Sequence, residues 1–213
     1  MYQFSRLARL TGSQAVSAMN WATEITEHVK SVTGLSVSLF TEVFSAAPGT
    51  LAWSTIVPDL ATLEAAFDKL TPDPRYNELA EAGQAYTLPG SLSDRLRTIV
   101  HPAEPPANPT QPEYVTCVYA TIANGNFARG IAAGVEIAQR VERITGDLTI
   151  FAMDSTGNYG GVAWLTGSAS ISQMQQAEEQ INGDPSFVDY IDKEASAAFV
   201  EGATTQRILR RVI

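Results

Sequence analysis

The chain has 213 residues, of which 45% are hydrophobic and 17% charged, and its formal net charge is −9. That is enough apolar material for one large domain or two small ones and too little charge for a disordered chain; an acidic balance also lacks the basic stripe of a nucleic-acid binder. The single cysteine, Cys117, excludes an intrachain disulfide and a cysteine-based metal site, and in its strand-like surroundings it reads as a small buried hydrophobe. The one basic cluster, Arg207, Arg210 and Arg211, reads as a solvated strand end. The first residues lack the basic-then-apolar pattern of a secretory signal, and no apolar run nears the length of about 20 residues that spans a membrane. A cytoplasmic protein with no membrane span is expected.

Tyr2 to Leu10 alternates and reads as a strand. Thr11-Gly12-Ser13 is a turn with Ser13 as helix cap. Ala18, Ala22, Ile25, Val29 and Val32 then recur at helical spacing up to Thr33, and Gly34 ends that helix. Leu35 to Phe44 and Thr50 to Val57 read as a hairpin. Pro58-Asp59 opens a helix with Leu60, Leu63, Phe67 and Leu70 on one face, and Asp59 suits its positive end. Thr71-Pro72-Asp73-Pro74 breaks it. A short helical piece over Tyr76 to Ala82, a loop at Leu88-Pro89-Gly90 and a strand near Leu96 to His101 close the first half.

Pro102, Pro105, Pro106, Pro109 and Pro112 make residues 102–113 an extended linker, expected on a surface. The second half repeats the order. Tyr114 to Ala123 is a strand, and Phe127 to Thr145 a helix closed by Gly146. Leu148 to Met153 and Gly161 to Thr166 are hairpin strands. Ser170 to Ile181 is a helix, Phe187 to Lys193 a short helical piece, and Gln206 to Val212 the last strand. Residues 1–101 and 114–213 are therefore two copies of one β-α-β-β-α-β unit, an α+β ferredoxin-like pattern. Val32-Thr33-Gly34, Ala52-Trp53 and Asp73-Pro74 in the first copy match Ile144-Thr145-Gly146, Ala163-Trp164 and Asp184-Pro185 in the second. Tyr76 aligns with Phe187, and Leu70 with Ile181. Leu51, Trp53 and Val57 on one parity and Ala52 and Ile56 on the other make both sheet faces apolar, so each sheet needs cover on both sides.

With its helix ending in Thr-Gly, its tryptophans Trp53 and Trp164 in the third strand, and Asp-Pro-Arg-Tyr (Asp73 to Tyr76) answering Asp-Pro-Ser-Phe (Asp184 to Phe187), the chain resembles the dimeric α/β-barrel superfamily. That superfamily includes antibiotic-biosynthesis monooxygenase-like and NIPSNAP-like proteins. The resemblance implies tandem ferredoxin-like repeats packed sheet to sheet as an intrachain barrel. It also implies a small-molecule pocket between the first helix and the sheet.

No residue pattern names a reaction. The two histidines are isolated: His28 is expected beside Glu24 on a helix flank, and His101 at a strand end, so no zinc site is expected and no cofactor is assigned, with haem left open. Gly157 to Gly161 reads as hairpin chemistry, not a phosphate loop. The first helix carries Met19-Asn20-Trp21, whereas the second copy has Ile131-Ala132-Ala133 between Gly130 and Gly134. Two interior glycines cost about 1 kcal/mol each against alanine, so either close packing or room for a ligand requires them. Through the resemblance, Asn20 and Trp21 become candidate ligand residues alongside Trp53 and Trp164. Arg6, on a strand parity that is otherwise apolar, reads as an interior charge facing a polar ligand group.

Two functions stand side by side. One is a barrel that binds a small apolar molecule, with cofactor-free oxygenation or isomerase-type proton transfer as the implied chemistry. The other is a non-catalytic protein that assembles into a homo-oligomer through sheet edges and small-residue contacts at Gly130 and Gly134.

Overall fold

A computed structural model describes residues 1–12, 14–104 and 111–213. The expected cap Ser13 and the linker prolines Pro105, Pro106 and Pro109 lie outside the described residues. The first half runs β1 (Tyr2–Arg9), α1 (Ala15–Thr33), β2 (Ser38–Val43), β3 (Thr50–Val57), α2 (Leu60–Leu70), α3 (Pro74–Ala82) and β4 (Ser93–His101). The second runs β5 (Tyr114–Thr121), α4 (Phe127–Thr145), β6 (Thr149–Asp154), β7 (Gly161–Ser168), α5 (Ile171–Gly183), α6 (Pro185–Tyr190) and β8 (Thr205–Arg211). Both halves therefore have the α+β, βαββαβ order. The chain divides into two compact units, Met1–Leu96 with Arg210–Ile213, and Arg97–Leu209.

In the first unit β3 pairs antiparallel with β1 on one side and β2 on the other. Leu39, Trp53 and Arg6 stand in register across the three strands, and Phe4 stands opposite Thr55. The C-terminal residues extend this sheet beyond β2: Val212 N–H donates to the Leu39 carbonyl at 2.7 Å, and Leu39 N–H to the Ile213 carbonyl at 3.1 Å. Helix α1 lays Ala18, Ala22 and Thr26 on the sheet and stops at Gly34, whose φ of 74° is the left-handed cap that glycine adopts without a Cβ clash. Leu39 and Leu51 are fully buried beneath it. Helices α2 and α3 start on carboxylate caps. Asp59 accepts from Thr62 N–H, and Asp73 from Tyr76 N–H with Pro74 in the first turn. These bonds hold both carboxyls below their ordinary range, with His28 adding to the effect at Asp73.

His28 differs from expectation. Its Nε2 lies 2.8 Å from Asp73 Oδ1, while Glu24 pairs with Arg75 instead. The turn that follows α2 brings Asp73 to α1, a long-range contact that helical spacing alone does not reveal. The sheet face opposite the helices is also less apolar than its parity suggested. Ser5 and Gln3 both donate to the Ser54 hydroxyl, at 3.2 Å, and are buried.

In the second unit the strand order is β8-β5-β7-β6, followed by the end of β4, where Arg97 to His101 pairs with Phe151 to Asp154. Phe151, Trp164 and Val118 stand in register, as do Thr149, Thr166 and Thr116. The glycines of α4 are explained by packing: a Cβ at Gly134 would sit 2.1 Å from Phe151 Cζ, and one at Gly130 would sit 2.6 Å from Ile122 Cγ2. Both glycines are buried against the sheet and offer no outward surface for a contact between copies. On the other face Arg97 is buried, bonds Asp154 at 2.7 Å and covers the Tyr119 ring. His101 Nε2 lies 3.1 Å from Glu142 Oε2. The short helical piece is longer and looser than expected, α6 being followed by a wide turn over Ile191–Ala195 and a tight one over Ser196–Ala198. Ala195 and Ala198 pack there against Ala133 of α4.

Candidate functional site

Each unit holds a cavity between its own helices and its own sheet. That of the first unit has a volume of about 540 Å³, within the range of about 300–1,000 Å³ usual for small-molecule sites. Its floor is the β1-β3 surface carrying Phe4, Arg6, Trp53 and Thr55, and its walls are Trp21 of α1, Phe67 of α2 and Tyr76 of α3. Among the described residues that line it, Arg6 is the one charged side chain.

Arg6 is held in place. Nε and one terminal nitrogen donate to both oxygens of Asp94 at 2.7 and 2.8 Å, and the other terminal nitrogen donates to the Tyr76 hydroxyl at 3.2 Å. Three of the five guanidinium N–H groups are thereby used. The hydrogen bonds to Asp94 raise the already high pKa of Arg6 against the opposing effect of burial, so the charge persists at any working pH. Tyr76 accepts from the guanidinium and keeps its own O–H to donate. Among the described residues the buried Thr55 hydroxyl has no hydrogen-bond partner.

The N–H groups of the three tryptophans are all bonded within the chain. Trp53 Nε1 donates to the Thr26 hydroxyl at 2.8 Å, Trp21 Nε1 to the Leu79 carbonyl at 2.7 Å, and Trp164 Nε1 to the Gly134 carbonyl at 2.8 Å. Trp21 meets Trp53 edge to face, with ring centroids 5.9 Å apart, and lies so close on Gly83 that a Cβ there would come 2.3 Å from its ring. Arg6, Trp21 and Trp53 therefore come together in one cavity, and Trp164 lies in the other. Asn20 does not line either cavity. One residue before Trp21 on α1, it turns about 100° away from the sheet and is exposed. Sequence reasoning passed over Tyr76, Phe4 and Thr55. The signal for Tyr76 was its alignment with Phe187, the place in that motif where the copies differ by a hydroxyl alone.

The cavity of the second unit, about 860 Å³, is floored by β5, β7 and β6 and roofed by α4 and α5. Among the described residues, no three His, Cys, Asp or Glu side chains converge as a metal site, and no helix is long and apolar enough to cross a membrane.

No family model matches the sequence, and no curated protein matches it either. Solved structures do. A protein of Fusobacterium nucleatum subsp. nucleatum ATCC 25586, provisionally named a monooxygenase, superposes over 100% of this chain and 92% of its own with a TM-score of 0.75 at 10% identity. An anthrone oxidase-like protein matches 100% of this chain and 91% of its own, with a TM-score of 0.64 and 11% identity. At these identities the likeness is one of fold. A protein described as a major regulator of staphylococcal pathogenesis also matches 100% of both chains, with a TM-score of 0.59 at 6% identity. Superfamily folds of this kind carry unrelated activities, so function has to be argued from the site.

Proposed function

We propose that the first unit binds a small planar aromatic molecule carrying an ionised or ionisable oxygen, with the ring between Trp21, Trp53, Phe4 and Phe67 and the oxygen at Arg6 and Tyr76. The observation that carries this reading is the placement of one fixed guanidinium and one phenolic hydroxyl in a largely apolar cavity. In such surroundings a charge-assisted hydrogen bond is worth about twice a neutral one, and water competes poorly. Of the two chemistries the resemblance implies, oxygenation fits better than isomerisation. Proton transfer between carbon atoms needs a base within hydrogen-bond reach, and among the described residues lining the cavity there is no carboxylate or imidazole. Oxygenation asks for no base in the cavity when the substrate enters as its enolate, the C–H proton already lost to solvent: the anion is held while dioxygen takes the electrons, one oxygen atom entering the ring carbon and the other leaving as hydroxide.

The test has two parts. Naphthalene-2-carboxylate is titrated into the protein and into Arg6→Met, and the expected result is loss of at least tenfold in affinity in the variant. Anthrone is then supplied in air, where uptake of one dioxygen per anthrone, giving anthraquinone and water, above the rate with Arg6→Met supports oxygenation. Equal binding by both proteins removes the ligand role of Arg6.

A further inference from the structure

Superposing the two strand registers places the differences between the repeats on the cavity floor. Trp53 and Trp164 are equivalent, so Arg6, opposite Trp53, corresponds to Val118, opposite Trp164. Phe4, opposite Thr55, corresponds to Thr116, opposite Thr166. The charged row of the first unit is thus Phe151-Trp164-Val118 in the second, and the neighbouring row, which holds Phe4 and Thr55 in the first, becomes Thr149-Thr166-Thr116, hydroxyls across three adjacent strands. Thr149 and Thr166 hydroxyls bond each other at 3.0 Å, while the Thr116 hydroxyl makes no hydrogen bond to the described residues. Tyr76 is replaced by Phe187, which also lines its cavity, and Trp21 by Ala133, which is covered by Ala195 and Ala198. No cation lines this cavity among the described residues, and its carboxylates, Glu178 and Glu201, are both exposed at its rim.

We infer that the second unit holds a separate binding site, for an uncharged, largely apolar molecule bearing hydroxyl or carbonyl oxygens. An anion would meet no counter-charge there, and it would lose its hydration to a floor of valine, tryptophan and neutral hydroxyls under rim carboxylates of its own sign. A neutral oxygen is matched by Thr116, which has a donor to give. Apolar walls from Ile137, Val141, Met174 and Ile181 cover the remainder of the ligand. The duplicated fold thus carries two pockets of opposite selectivity, set by which of two adjacent rows is polar and by whether that polarity is charged.

Fluorine NMR of the protein labelled with 5-fluorotryptophan reads the two sites separately, because the chain has three tryptophans, Trp21 and Trp53 at one cavity and Trp164 at the other. Single Trp→Phe variants assign the signals, and the unaltered sequence is titrated. The probes are naphthalene-2-carboxamide and naphthalene-2-carboxylate, which share shape and differ in charge. The expected result is a saturable shift of the Trp164 signal with the amide, at least tenfold tighter than with the carboxylate. A Trp164 signal that neither probe moves, or that the carboxylate moves as readily as the amide, overturns the proposal. The Trp21 and Trp53 signals report the carboxylate at the first cavity independently, so failure there counts against the proposed function and leaves the second site standing.

Discussion

The two cavities are built from one plan and differ in what their floors offer. In the first unit a guanidinium stands beside the strand-three tryptophan and is locked by Asp94 and Tyr76. In the second the same position is Val118, the charge is gone, and the adjacent row, with Thr55 alone as a hydroxyl beside Phe4 in the first unit, carries the three hydroxyls of Thr149, Thr166 and Thr116. The lesson is that a duplicated sheet can change the polar groups it shows to a cavity while keeping its strand order, because alternate residues of a strand serve the cavity and the ones between them serve the opposite face.

The largest effects should come from the tryptophans that both units share. Trp53→Ala and Trp164→Ala are each expected to cost about 3–5 kcal/mol in urea unfolding, since each removes a large packed ring and an internal hydrogen bond. A much smaller loss in one unit would show that its tryptophan is a ligand wall and not a core residue. Next is Gly134→Ala, where a methyl group meets the Phe151 ring and should cost about 1–3 kcal/mol. Gly183→Ala, whose Cβ meets nothing within 4 Å, should stay within about 0.5 kcal/mol by the same measurement. Thr116→Val keeps the shape of the second cavity and removes its spare donor. Amide binding followed at Trp164 should weaken about fivefold, or about 1 kcal/mol, while carboxylate binding in the first unit stays unchanged.

The smallest effect separates the units by pH. Asp59 and Asp73 cap α2 and α3, and their carboxyls are lowered from 3.8 by hydrogen bonds that the folded state alone supplies. A carboxyl lowered on folding stabilises the fold above its unfolded pKa of about 4, and that contribution is lost as pH falls through the lower folded value. In the second unit the equivalent of Asp59 is Ser170, which caps α5 through its hydroxyl and does not titrate. Urea midpoints measured from neutral pH down to about pH 3 should fall less steeply in the Asp59→Asn/Asp73→Asn protein than in the unaltered one. Parallel curves would assign the acid sensitivity elsewhere.

Much of this was legible in the residues. Thr-Gly helix ends, paired tryptophans and Asp-Pro caps recur because each copy solves the same local problem, and those problems are short-range. The structure gives the glycines of α4 to Phe151 and Ile122, a contact between elements that no spacing within the helix encodes. Arg6 could be singled out by parity, but Asp94, its anchor, is far along the chain and only the fold joins them. Asn20 was drawn in by analogy with other pockets, and helical rotation from Trp21 turns it to solvent. Tyr76 is visible in the repeat alignment, but that it bonds Arg6 is set by the fold and not by its pairing with Phe187.

The central claim is that Arg6 sets the ligand class of the first cavity. The most direct test is the affinity of naphthalene-2-carboxylate for the unaltered protein and for Arg6→Met, followed on the Trp21 and Trp53 fluorine signals. The account predicts at least a tenfold loss in the variant, with the affinity for naphthalene-2-carboxamide at Trp164 unchanged. Equal carboxylate affinity in the two proteins would contradict it.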